Sequence, residues 1–205
     1  MKASGFALSL EPSHSPWAKW AAHREAFVDV VESAIADRRI TQEEDQWVAE
    51  VRTKLNVPAE RVAKELALVD QLTRAAAVNA KPLTPVTTNI KLQRGETAFF
   101  VGAAVELKRV IARTVQRQGV QYSDYEYERQ DEGQLVATNL RVLFVGQGSR
   151  TIKLEKIQRL EANVPDRRLF LSLDGRASPL VFGLDDSAVA GTIISRLSKE
   201  LEAAA

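Results

Sequence analysis

Leu135-Val136-Ala137-Thr138-Asn139-Leu140-Arg141-Val142-Leu143-Phe144-Val145 reads as two apolar strands joined by a tight turn near Thr138 and Asn139. Branched and aromatic residues suit a pleated, half-buried surface, and Thr and Asn side chains bond nearby backbone in turns. Asp131-Glu132-Gly133 before this stretch is a turn signal, and Gly146-Gln147-Gly148-Ser149 after it is a second.

Working outward, Ile152, Leu154 and Ile157 continue the strand pattern. Leu169, Leu171 and Leu173 alternate, Asp174-Gly175 is a hairpin signal, and Leu180 to Phe182 is the return strand. Val189, Ile193, Leu197 and Leu201 then recur at four-residue steps, a helix that Asp185 or Asp186 would cap. A sheet with one apolar face needs a cover, and this helix supplies it. Upstream, Phe99-Phe100-Val101 follow a turn at Arg94-Gly95. Val105, Leu107, Ile111 and Val115 are compatible with a strand or a helix, and the Tyr-rich run Val120 to Glu128 reads as extended.

Three helical patterns fill the first part. Trp17, Trp20, Phe27, Val31 and Ile35 share one face, behind Ser15-Pro16 as cap and first turn. Thr41 and Glu44 have capping-box spacing, and Trp47, Val48, Val51 and Leu55 follow as an apolar face ending at Asn56. Pro58 opens a third helix with Val62, Leu66, Val69 and Leu72 inward. The expected organisation is therefore α+β: a helical bundle over 1–80, an extended linker over 81–89 carrying Pro82 and Pro85, and a β-domain over 90–205.

Composition narrows the function classes. With 45% hydrophobic and 27% charged residues the chain can bury a core, so wholesale disorder is not expected. Net charge is +1, which argues against a dedicated nucleic-acid binder. The absence of cysteine excludes disulfides, thiolate metal sites and cysteine nucleophiles, and suits a reducing cytoplasm. No apolar run approaches the ~18–20 residues of a bilayer span, and Met1 to Leu10 lacks the apolar centre of a secretory signal.

Gly133 to Phe144 followed by Ile152-Lys153-Leu154-Glu155-Lys156-Ile157 resembles the bacterial pleckstrin-homology-like and GRAM-like domains. The shared pattern is a Gly, an apolar strand, Thr-Asn, a basic residue, an apolar strand and an Ile-x-Leu-x-x-Ile strand, with Gly95-Glu96 at the usual start. The resemblance covers roughly 90–201. It implies a bent antiparallel sheet or partly open barrel capped by a C-terminal helix, and a non-enzymatic module that binds proteins, peptides or lipid head groups with no cofactor. The region Val105 to Arg129 departs from it by being long and rich in Arg and Tyr. Ala36 to Glu44 more loosely resembles the helical tellurite-resistance-B-like domains, with Arg38 and Arg39 in place of the Gly expected after Asp37.

Catalytic and metal chemistry find little footing. Asp37, Thr41, Glu43, Glu44 and Asp45 cluster, but Arg38, Arg39 and Ile40 stand where a calcium loop needs ligands and a Gly, so a capped helix start is expected. His14 and His23 lie nine apart with no zinc-binding spacing. Gly146-Gln147-Gly148 is too short for a dinucleotide loop, there is no nucleophile elbow, and Asp131, Glu132, Glu155 and Lys156 lack nuclease spacing. No catalytic, metal or cofactor residue is assigned.

Two surface groups remain. Arg109, Arg113 and Arg117, with Lys108, lie close in sequence, and Arg141, Arg150 and Lys153, with Lys156, lie on the resembling strands. Converging turns would make them an anion-attracting rim; otherwise they are solvated edge charges. Tyr125 and Tyr127 share a strand face with Tyr122 opposite, either as an interface or as barrel packing. The expected binding set is thus Arg109, Arg113, Arg117, Tyr122, Tyr125, Arg141, Arg150 and Lys153. The expected ligand is a protein partner; the alternative is anionic lipid at the inner membrane surface. Trp17, Trp20 and Phe27 on one helix also raise self-association as an expectation.

Overall fold

The computed structural model describes residues 16–36, 40–117 and 120–203, excepting the side chains of 16–18, 115, 117, 120 and 122. The Ser15 cap, the Trp17 side chain, His14 and the run Asp37 to Arg39 therefore lie outside the described residues. The chain is mixed α+β and divides into two compact units, Met1–Val69 and Asp70–Ala205.

In the first unit, α1 (Pro16–Ala34) packs against α2 (Gln42–Lys54). Phe27, Val31 and Ala34, one face of α1, are buried with Val48 of α2 and with Val57 and Val62. The capping box forms: the Glu44 N–H donates to Thr41 Oγ1 and the Thr41 N–H to the Glu44 carboxylate. Asn56 adopts φ 50° after α2, while the Asn56 and Val57 amides donate to the Thr53 and Arg52 carbonyls. That is a left-handed C-terminal cap with Asn in the place Gly usually takes. Trp47 is a correction to the expected apolar face of α2: it is 43% exposed. Val48 alone reaches the interior from this helix, because Trp47 sits one residue, about 100°, away around it.

A single 3₁₀ turn, Ala59–Arg61, with Pro58 just before it, leads into α3 (Ala63–Ala80). The division between the units falls within α3, so the extended stretch 81–89 lies in the second unit. There Leu83 packs on the core and the Val86 N–H donates to the Ala98 carbonyl at 2.8 Å.

The second unit is a seven-stranded antiparallel sheet with a terminal helix. Its strands are β1 (Ala98–Arg117), β2 (Val120–Thr138), β3 (Arg141–Val145), β4 (Arg150–Lys153), β5 (Ile157–Asn163), β6 (Arg168–Leu173) and β7 (Leu180–Gly183), followed by α4 (Ser187–Ala203). They are ordered β4-β3-β2-β1-β7-β6-β5. Phe100, Leu135, Ala137, Val142, Phe144, Leu169, Leu171 and Phe182 bury one face of the strands against Ala190, Ile193, Ile194 and Leu197 of α4. Gly191 lets the helix settle closely: a Cβ there would lie 3.2–3.3 Å from Leu160, Ala162 and Leu169 side-chain atoms.

Val105 to Val115, compatible with a strand or a helix, forms strand, part of β1. Two local readings need correction. Asp131-Glu132-Gly133 is no turn but the middle of β2. Glycine is needed there for close approach, since a Cβ on Gly133 would lie 2.2 Å from the Val145 carbonyl oxygen. The run from Ile152 to Ile157 is interrupted by one 3₁₀ turn, Leu154–Lys156. Asp174-Gly175 turns the chain as expected, with Gly175 at φ 73° and the Arg176 N–H donating to the Leu173 carbonyl, and Leu180 to Phe182 returns antiparallel to β6. Replacing Gly133 by Ala is expected to lower unfolding free energy by about 1–3 kcal/mol through forced overpacking, read from urea denaturation; an unchanged midpoint would contradict the close approach.

Candidate functional site

β1 and β2 are far longer than their neighbours. β7 reaches only Val105–Leu107 of β1, and β3 pairs only with residues 134–137 of β2. Beyond those limits, 108–117 and 120–129 pair solely with each other among the described residues. At ~3.3 Å per residue this two-stranded arm is about 30 Å long. Two register shifts bend it: Gln130 has no partner at its base and Ala112 none halfway along.

A lone ribbon is marginally stable in water, so its base must be fastened. Tyr127 meets Phe170 of β6 edge-on, centroids 6.1 Å apart, and the Arg168 guanidinium sits 4.4 Å over the Tyr127 ring. The Asp131 carboxylate accepts the Gly148 N–H at 2.7 Å and the Gln147 N–H at 3.2 Å, tying the β3–β4 turn to β2. Those amides, Gly148 foremost, hold the Asp131 pKa below the ordinary carboxylate range. Arg150 pairs with the buried Glu106 at 2.6 Å beside the bulge.

Further out the side chains are exposed. Ile111 stands directly opposite Tyr125, and they are 62% and 47% exposed. Arg109 lies on the same face, its guanidinium 3.4 Å over the Tyr125 ring. The other face carries Lys108 opposite Glu128 and Val110 opposite Glu126, and after the bulge Arg113 stands opposite Asp124. Among the described residues Lys108, Arg109 and Arg113 have no ion-pair partner within 4.0 Å.

The expected basic set thus separates. Arg109, Arg113 and Tyr125 share the arm; the side chains of Arg117 and Tyr122 lie outside the described residues. Arg141 and Lys153 are cross-strand neighbours in β3 and β4, at the Thr138 end of β2 and opposite the end that carries the arm. Arg141 is not open to a ligand: it grips the buried Glu96 carboxylate through Nε at 2.8 Å and Nη2 at 2.9 Å. Arg150 is likewise taken up by Glu106, and Lys153 pairs with Glu155 at 3.2 Å. Glu96 and Glu106 were invisible as partners because they lie 45 and 44 residues from their arginines.

The Glu96 site explains the Thr-Asn pair. Thr138 Oγ1 donates to Glu96 at 2.8 Å, and the Asn139 side chain accepts the Thr97 N–H at 2.8 Å. Arg141 foremost, then the Gln93 amide and Thr138, outweigh burial and hold the Glu96 pKa down to about 2.

Elsewhere, an open cleft of about 520 Å³ is lined by Asn79 to Leu83, Phe99, Arg196 and Glu200. Arg196 crosses it to donate to the Val78 and Lys81 carbonyls, closing the end of α3. His23 is structural, Nδ1 lying 2.9 Å from the Leu55 carbonyl. No described helix is long and apolar enough to cross a membrane. No protein-family model matches the chain, and no curated protein matches it.

Removing one member of the buried pair, Glu96→Ala, is expected to cost about 3–5 kcal/mol because Arg141 is left uncompensated. In the intact protein the depressed pKa makes the stabilisation full above the unfolded carboxylate value and progressively lost as pH falls from about 5 toward 2. Denaturation curves of both proteins at pH 7 and pH 3 check this; equal gaps at the two pH values would contradict it.

Proposed function

We propose that this chain is a non-enzymatic binding protein whose second unit is a pleckstrin-homology-like or GRAM-like module that docks another protein through the β1–β2 arm. The fold part of the reading is supported by the strand order, by the antiparallel pairing throughout, and by α4 covering the core face. The observation that carries the function is the exposed Ile111–Tyr125 pair with Arg109 stacked on the ring. An aliphatic side chain, a tyrosine and an arginine, side by side on a fastened ribbon, have the composition of an interface anchor.

Magnitudes favour a protein over a lipid surface. The three unpaired cations, Lys108, Arg109 and Arg113, would gain about 1 kcal/mol each at an anionic membrane, roughly a hundredfold in all. Stable anchoring needs a second signal. With Arg141 and Arg150 taken up by buried carboxylates, the expected basic rim does not extend to them among the described residues. A single buried tyrosine or arginine anchor at a protein interface is commonly worth about 2 kcal/mol or more.

The double substitution Ile111→Ser and Tyr125→Ser is expected to leave the unfolding free energy within about 1 kcal/mol, since both side chains are exposed. It is expected to abolish stoichiometric co-purification of a partner from the native host. Equal capture by the variant, or flotation of the wild-type chain with anionic vesicles at physiological salt, would contradict the reading.

A further inference from the structure

The open edge of β1 specifies what it accepts. Between Leu107, where pairing with β7 stops, and Arg117, one side of β1 faces β2 and the other faces no strand among the described residues. In an antiparallel ladder alternate residues point N–H and C=O to each side, so about five residues of this edge present unpaired backbone. Lys108, Arg109, Ala112, Arg113, Thr114 and Gln116 are all exposed along it. Leu107 to Arg117 contains no acidic residue.

We infer that an extended, acidic segment of a different protein adds as a strand to this edge, continuing the column that β7 leaves after Leu107. This rests on the reading of the arm as the docking surface and names the chemistry of its partner. β2 shows what β1 selects: Asp124, Glu126 and Glu128 stand opposite Arg113, Val110 and Lys108, with tyrosines between them. The open side carries the same cations without those carboxylates. Unguarded edges invite self-pairing, and the cations with the bulge at Ala112 oppose it, because two β1 edges would bring like charges together. Pairing β1 to the acidic β2 edge of another copy would be head-to-tail, leaving a free edge at each step and an assembly that need not close. A separate acidic strand satisfies the edge once and ends there. Ile111 and the Arg109–Tyr125 stack lie beside it, ready to cover the added strand's apolar side chains.

The test uses the full chain and a synthetic peptide copying residues 120–128, with a control in which its Asp and two Glu are replaced by Asn and Gln. Anisotropy titration is expected to show the acidic peptide binding about tenfold or more tightly than the control. The double variant Lys108→Glu, Arg113→Glu, which alters only exposed side chains, is expected to reverse that order. Amide exchange is expected to show new protection on the outward-facing amides of 108–117. Equal binding of both peptides, or protection at β4 or β5 instead, would overturn the inference. So would a concentration-dependent self-association of the peptide-free chain that Arg113→Glu abolishes, since a second copy would then hold the edge. If the peptide fails while Ile111→Ser, Tyr125→Ser still costs the chain its partner, only the edge assignment falls.

Discussion

Everything distinctive in the second unit follows from β1 and β2 remaining paired past the point where either has another neighbour. From Ala98 to Glu106 the two strands are core: Phe100 and Ala104 of one and Leu135 and Ala137 of the other bury against α4. From Lys108 outward the same ladder continues with no third strand beside it among the described residues. Backbone hydrogen bonds alone do not hold such a ribbon in water. Its persistence depends on what is fixed at its base, where Tyr127, Phe170 and Arg168 stack and Asp131 holds the β3–β4 turn. Core and arm are one element, so rigidity in the first carries into the second.

Charge is divided along the same boundary. Close to the core, arginines meet buried carboxylates: Arg141 with Glu96 and Arg150 with Glu106. Neither guanidinium can leave without stranding a buried negative charge. These pairs therefore hold the strand ends in register and contribute little to an external field. On the arm Lys108, Arg109 and Arg113 face water with no carboxylate within 4.0 Å among the described residues, and Arg109 lies on a tyrosine. A net charge of +1 conceals this division, because it sums neutralised and open charges alike.

Much of the fold was legible in local pattern. The Thr41–Glu44 box, the strands on both sides of Thr138-Asn139, the alternation through Leu169 to Leu173 and the four-residue steps after Val189 all formed the expected elements, since each is decided by neighbours close in sequence. The arm was only half legible. Alternation at Val105 to Val115 fitted strand and helix alike, and Asp131-Glu132-Gly133 mimicked a turn because glycine also serves where another backbone passes close. The site was less legible still. Arg109, Arg113, Arg141 and Arg150 look alike in sequence, and what separates them is a carboxylate more than forty residues away or none. Ile111 belongs to an apolar alternation in sequence, and its exposure comes from its place on the arm rather than from its neighbours in the chain.

Residue-resolved hydrogen exchange on the intact chain reads the arm most directly. Uniformly slow amides are expected from 105 to 107, flanked by β2 and β7, and an alternating pattern from 108 to 117, slow toward β2 and fast toward the open edge. Uniform protection along all of 108–117 would mean that the edge is already covered within the chain, and uniform fast exchange that the arm is not formed; either result would contradict a standing ribbon with one side free.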